Sequence, residues 1–256
     1  MGLSQLIQPF YRKLTEEEYS RSPAQGQICF IPGIFPDVVP RVIEAHRHDK
    51  RDHSEADFVI RNLKESDYGQ KDTLPIKHLN IKSGEELLAV KSKRRPAIII
   101  RPDTYISAAI GKLLPSMGKK HLQQPDTFVA LPIFSSQIDG FGTGFPAQMI
   151  CRIKVLMYPQ YFYMPLSTDT LIPVKEGVVR LDRIQVIVSR DPAVLQPKKY
   201  AISEDALEIL LCQFMRWLNL PMDQEIKINY DAILGLLGET LPADVCAEDR
   251  HTPGQT

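Results

Sequence analysis

The sequence predicts a mainly β fold: a strongly curved antiparallel sheet, closed as a small barrel, with one late helix packed on it. Two observations carry this expectation. Short apolar runs recur beside prolines and glycines, and the 20 prolines are scattered from Pro9 to Pro253, which suits short strands and turns better than a helical bundle. A single strong amphipathic helix then comes late. Ser203 reads as its N-cap, and Glu204 and Asp205 suit the positive end of the helix dipole. Leu207, Leu210, Leu211, Phe214, Trp217 and Leu218 form its apolar stripe, and Pro221 stops the run.

Taken in order, Leu3, Leu6, Ile7, Phe10, Tyr11 and Leu14 recur at helical spacing, with Pro9 limiting the first helix. Thr15 to Glu18 has the form of a capping box. A strand over 27–31 follows Gly26 and ends at Pro32-Gly33. Residues 36–56 are polar and charged and read as an exposed loop or short helix. Strand-like runs follow at 58–63, 75–81 and 87–90. The sheet proper is expected from 27–31, 97–101, 128–133, 150–158 and 184–189, with the helix over 204–218 packed on it. The polar tail from Ala247 reads as disordered.

At 256 residues the chain is long enough for one domain with substantial insertions, and its 43% apolar and 24% charged fractions are those of a globular protein. Its 31 basic residues balance 31 acidic ones, so any nucleic-acid site must be a local patch. Cys29, Cys151, Cys212 and Cys246 are far apart with no CxxC pair, which points to reduced thiols in a cytoplasm, not a zinc site or disulfide framework. The N-terminus has no signal-peptide pattern, and no apolar run approaches the roughly 20 residues that span a bilayer. The expectation is a cytoplasmic protein without membrane association.

Three segments in order resemble the PemK/MazF-like toxin family. Gly26-Gln27-Ile28-Cys29-Phe30 is similar to the family's opening Gly-Asp-Ile strand. Lys93-Arg94-Arg95-Pro96 followed by Ala97-Ile98-Ile99-Ile100 is similar to its Arg-Pro-hydrophobic strand. Gly177 to Asp182 and Ile184, then Lys198 to Tyr200 and the late helix, resemble its closing segment and terminal helix. The resemblance implies an SH3-like barrel over 26–220 with a C-terminal packing helix and a long insertion at 33–92. An N-terminal helical extension (1–25) and a C-terminal extension (221–256) would flank it.

It also implies a metal-independent endoribonuclease that cleaves single-stranded RNA by 2′-hydroxyl attack and is neutralised by an antitoxin protein, acting as a homodimer with no cofactor. Arg95 becomes the leading catalytic candidate, because a planar, permanently charged guanidinium suits a phosphoryl-transfer transition state. The family's catalytic threonine falls on Phe134 in a gapless match, and on Ser135 if one residue is inserted. Ser135 is therefore the second catalytic candidate, with Ser136 and His121 behind it; a strand-ending turn is the plainer reading of the serines. Lys93, Arg94, Lys119 and Lys120 are candidate RNA contacts beside Arg95, or simply a solvated charge run. Tyr158, Tyr161, Phe162 and Tyr163 either stack bases or pack the barrel.

Other chemistries find little support. His46, His48, His53, Asp49 and Asp52 match no standard zinc spacing. Gly140 to Gly144 lacks the spacing of a dinucleotide fingerprint and reads as a loop. No nucleophile elbow, Walker loop or HExxH occurs. The alternative function is a catalytically inactive barrel of the same type that binds protein or nucleic acid, with a role in phage defence.

Overall fold

A computed structural model describes residues 2–21, 23–46, 49, 51, 56–69, 81, 84–101, 127–136, 144–188 and 191–241. The chain divides into two compact units: Met1–Ile31 with Arg94–Thr256, and Pro32–Lys93, the stretch read from the sequence as an insertion. The protein is mainly β, with antiparallel sheets and a few helices.

The elements, in chain order, are α1 (Leu3–Leu6), β1 (Tyr11–Lys13), α2 (Glu16–Ser20), β2 (Gln27–Ile34), β3 (Arg41–His46), β4 (Asp57–Asn62), β5 (Leu88–Ala89), β6 (Ser92–Ile100) and β7 (Phe128–Ser135). Then come α3 (Ala147–Lys154), β8 (Tyr161–Met164), β9 (Gly177–Arg180), β10 (Gln185–Ile187), β11 (Gln196–Ile202), α4 (Glu204–Trp217) and α5 (Gln224–Gly238).

The larger unit is built on an eight-stranded sheet in the order β1-β11-β2-β6-β7-β9-β8, with β10 also pairing β7. Residues in and beside its two end strands meet: the Tyr11 hydroxyl of β1 donates to the Pro165 carbonyl just after β8 at 2.5 Å, and the rings of Phe10, just before β1, and Phe162 of β8 lie 6.2 Å apart. The strand order is nonetheless an open path, with no ladder closing it among the described residues.

Alternation along each strand separates two faces. One carries the main core, where Ile28, Ile98, Leu131, Ile133 and Val179 pack under Leu210 of α4 and Leu237 of α5. The other carries two smaller clusters. Cys29, Ala97, Ile99 and Phe128 form one; Tyr163 and Val178 form the other beneath Ile150 and Ile153 of α3. The smaller unit holds a three-stranded sheet, β4-β3-β5, in which Arg61 is clamped by Glu44 at 2.6 Å and by both oxygens of Asp67.

Local signals match several expectations. The Thr15–Glu18 capping box forms, and Ser203 Oγ caps α4 by accepting from the Ala206 N–H. The end of α4 comes earlier than Pro221. Asn219 takes a left-handed φ of 53°, and the Leu220 N–H returns to the Met215 carbonyl in a Schellman turn.

Other expectations need correction. Residues 150–158 are not a strand: α3 and a turn occupy them, because Ile150 and Ile153, one helical turn apart, both fill the hollow over Tyr163 and Val178. Strand β2 runs through Pro32-Gly33 to Ile34, since the fixed φ of proline is compatible with an extended chain. A strand, β3, lies inside the 36–56 stretch that read as loop or helix. Among its described residues the segment 1–25 is helical over two short turns alone. Between them β1 pairs β11, and Leu3, Ile7 and Phe10 enter the main core. The segment 221–256 carries α5, whose Tyr230 hydroxyl donates to the buried Gln213 amide of α4. Of the 75–81 run only residue 81 is described, and the tail beyond 241 lies outside the described residues.

Candidate nucleic-acid interface

Strands β6 and β7 pair with Ala97 opposite Pro132 and Ile98 opposite Leu131. Continued two residues, this register sets Arg95 opposite Phe134, and the side chains meet: the Arg95 guanidinium carbon lies 4.1 Å from the Phe134 ring centroid. Phe134 also pairs with Val178 on β9, which brings Arg180, two residues along, to the same face. The Arg180 guanidinium lies 5.6 Å from the Phe134 centroid and 5.2 Å from that of Tyr161. One ring is thus approached by two guanidiniums.

Each cation is held. Arg180 makes a two-pronged bond to Asp182, with Nε donating to Oδ1 at 2.7 Å. Arg95 is half-buried, and that burial lowers its pKa from the ordinary arginine value. Tyr161 continues the aromatic band, with Phe145 and Tyr158 edge-on at 5.6 and 6.1 Å.

On the same face, the Tyr163 hydroxyl donates to Glu176 Oε1. Lys154 of α3 sits 3.5 Å from that oxygen and 4.7 Å from the Tyr163 centroid. The Tyr163 bond and the Lys154 charge hold the Glu176 carboxyl below its usual range against the opposing effect of burial, and Ser136 contributes to the same end. Burial first, then the Glu176 partner, push the Tyr163 phenol up.

The candidates read from the sequence separate on this sheet. Arg95 sits at the centre of the cationic face. Ser135, exposed and next in line after Phe134, falls on the opposite face by strand alternation, so Arg95 and Ser135 do not share a groove. Ser136 is buried beside Glu176. Lys93 and Arg94 are exposed at the start of β6. Lys119, Lys120 and His121 lie outside the described residues, as do His48, Asp52, His53 and residues 140–143. Among the described residues no group of three histidine, cysteine or acidic side chains is arranged to hold a metal ion.

Arg180, Lys154 and Glu176 were not legible as site residues. The Arg180-x-Asp182 spacing was the available signal, and only the β7–β9 register gives it meaning. Among the described residues no helix is long and apolar enough to cross a membrane. Comparison with protein-family models, with curated proteins and with solved structures finds no match.

Proposed function

We propose that this chain is a single-stranded RNA-binding protein of the PemK/MazF-like type, its curved sheet a variant of the SH3-like barrel. One observation carries the reading: Arg95 and Arg180 converge on the ring of Phe134 beside Tyr161. A stacked guanidinium has its plane and direction fixed, its positive charge attracts phosphate, and adjacent aromatic rings offer stacking surfaces for bases. In a chain of zero net charge, such a local set is what an RNA site requires. The order of the Gly26, Arg95-Pro96 and Gly177 segments supports the family type. An antitoxin-like protein across this face and a second copy of the chain are the partners that type brings.

Cleavage is the second reading. It is favoured by the two guanidiniums, which would stabilise an anionic phosphorane formed when the RNA 2′-hydroxyl attacks the adjacent phosphorus and the 5′-oxygen leaves. Against it stands Phe134, at the gapless position of the family's threonine, with Ser135 across the sheet.

The test is fluorescence anisotropy with an unstructured 12-nucleotide RNA in excess EDTA, followed by mapping of RNA ends. Binding of intact RNA, weakened about 10-fold or more by Arg95→Gln, is expected. Cleavage to a 2′,3′-cyclic phosphate and a 5′-hydroxyl, lost in Arg95→Gln, would establish the second reading instead. Absence of both binding and cleavage overturns both.

A further inference from the structure

The opposite face of β6 carries a second set of the same chemistry. Arg94, one residue before Arg95 and therefore directed to the other face, lies with its guanidinium carbon 5.2 Å from the Phe30 ring centroid on β2. Lys198 of β11 brings its ammonium to 5.0 Å from the same centroid. Phe30 and Lys198 are half-buried and Arg94 is exposed, so the ring is flanked by cations that solvent reaches.

This pair contrasts with other cations of the chain. Arg12, Arg21, Arg61 and Lys199 each have a carboxylate within 3 Å. Among the described residues neither Arg94 nor Lys198 forms an ion pair. Two like charges gathered on one ring repel each other, and an anion between them removes that cost. A phosphodiester, with two non-bridging oxygens, can bridge two cations, and in a single strand it also brings a base to the neighbouring ring.

We propose that Arg94, Phe30 and Lys198 form a second RNA subsite, in which the two cations bind the phosphodiester backbone and Phe30 keeps them in place. This rests on the reading of the chain as an RNA-binding protein and assigns it a contact on each face of the sheet.

The experiment measures binding of a labelled 12-nucleotide oligouridine across a salt series for wild type, Arg94→Gln/Lys198→Gln and Arg95→Gln. Thermal melts confirm that the substitutions leave the fold intact. The double variant is expected to weaken binding about 10-fold, and to reduce the slope of log K against log salt by about 0.7 for each cation lost. Lys198→Arg, which keeps the charge, should bind as wild type does. If the double variant matches wild type in affinity and slope while Arg95→Gln is weakened, the second subsite is refuted and the first stands. If wild type itself fails to bind, both fall together.

Discussion

Arg95 stacks on Phe134 across the β6–β7 ladder, its guanidinium carbon 4.1 Å from the ring centroid. The contact spans two antiparallel strands and so fixes a long, rotamer-rich side chain in one direction before any ligand arrives. The plane of the guanidinium is what the stack defines. Arg95→Lys keeps the charge but loses the planar fork, so binding of single-stranded RNA should weaken about 5- to 20-fold, in line with roughly 1–2 kcal/mol for a partly desolvated cation–π contact. The salt dependence should be unchanged, because the phosphate contact count is the same. Equal affinity for the two proteins would show that the stack is packing alone.

Gly177 of β9 lies close against Ile133 and Phe134 of β7. A Cβ placed there would lie 2.7 Å from the Phe134 carbonyl oxygen and 2.9 Å from Ile133 Cγ2. Backbone cannot move aside as a side chain can. Gly177→Ala is therefore expected to cost about 1–3 kcal/mol of stability, measured by urea denaturation. It should also weaken RNA binding, because the carbonyl it strikes belongs to Phe134.

The Glu176 carboxyl is held below its ordinary range, chiefly by the Tyr163 hydroxyl and then by the Lys154 ammonium, against the penalty of burial. A depressed carboxylate contributes stability that is complete above its unfolded pKa, about 4.3, and is lost as pH falls through the folded value. Wild type should therefore exceed Glu176→Gln by about 1–2 kcal/mol at pH 7. The gap should close as the pH drops below about 4. A gap that widens in acid would contradict this assignment.

The cysteines should differ in reactivity. Cys151 is exposed on α3, whereas Cys29 and Cys212 are buried. Burial pushes the Cys29 thiol up to about 12, and burial with Glu208 nearby raises that of Cys212. Since the thiolate is the nucleophile, brief iodoacetamide treatment at pH 7.5 should modify Cys151 and spare Cys29 and Cys212 until the protein is unfolded, as read by peptide mapping.

What could be read from the sequence followed from local chemistry. The capping box at Thr15–Glu18, the N-cap at Ser203 and the apolar strand runs at 97–101 and 128–133 are each specified by residues a few positions apart, and each forms. The same holds for the mainly β, antiparallel character of the chain. Residues 150–158 mark the limit of such reading. Their apolar content suits a strand or a helix, and the hollow over Tyr163 and Val178 selects the helix. On α4, too, the buried face is Ala206, Ile209, Leu210, Cys212 and Gln213; of the expected stripe only Leu210 is buried, Leu207, Leu211 and Phe214 are half-buried, and Trp217 and Leu218 are exposed.

Arg95 could be singled out from the sequence because a basic residue before proline and an apolar strand is a local pattern. Tyr161, a stacking candidate, and Phe134, at the aligned threonine position, are also legible there, but Arg180 and the grouping of all four are not. Phe134, Arg180 and Tyr161 are distant in the chain and are gathered on the face of Arg95 only through the β6–β7, β7–β9 and β8–β9 registers. Strand alternation likewise sends Ser135 and Arg94 to the face opposite Arg95, although each is adjacent to a member of the site. Sequence by itself determined that the 27–31, 97–100 and 128–133 runs extend, where α2 and α4 begin and that cations precede the apolar part of β6. Tertiary structure alone decided which aromatic that cation stacks on, because a one-residue change of register would turn every side chain of a strand to the other face.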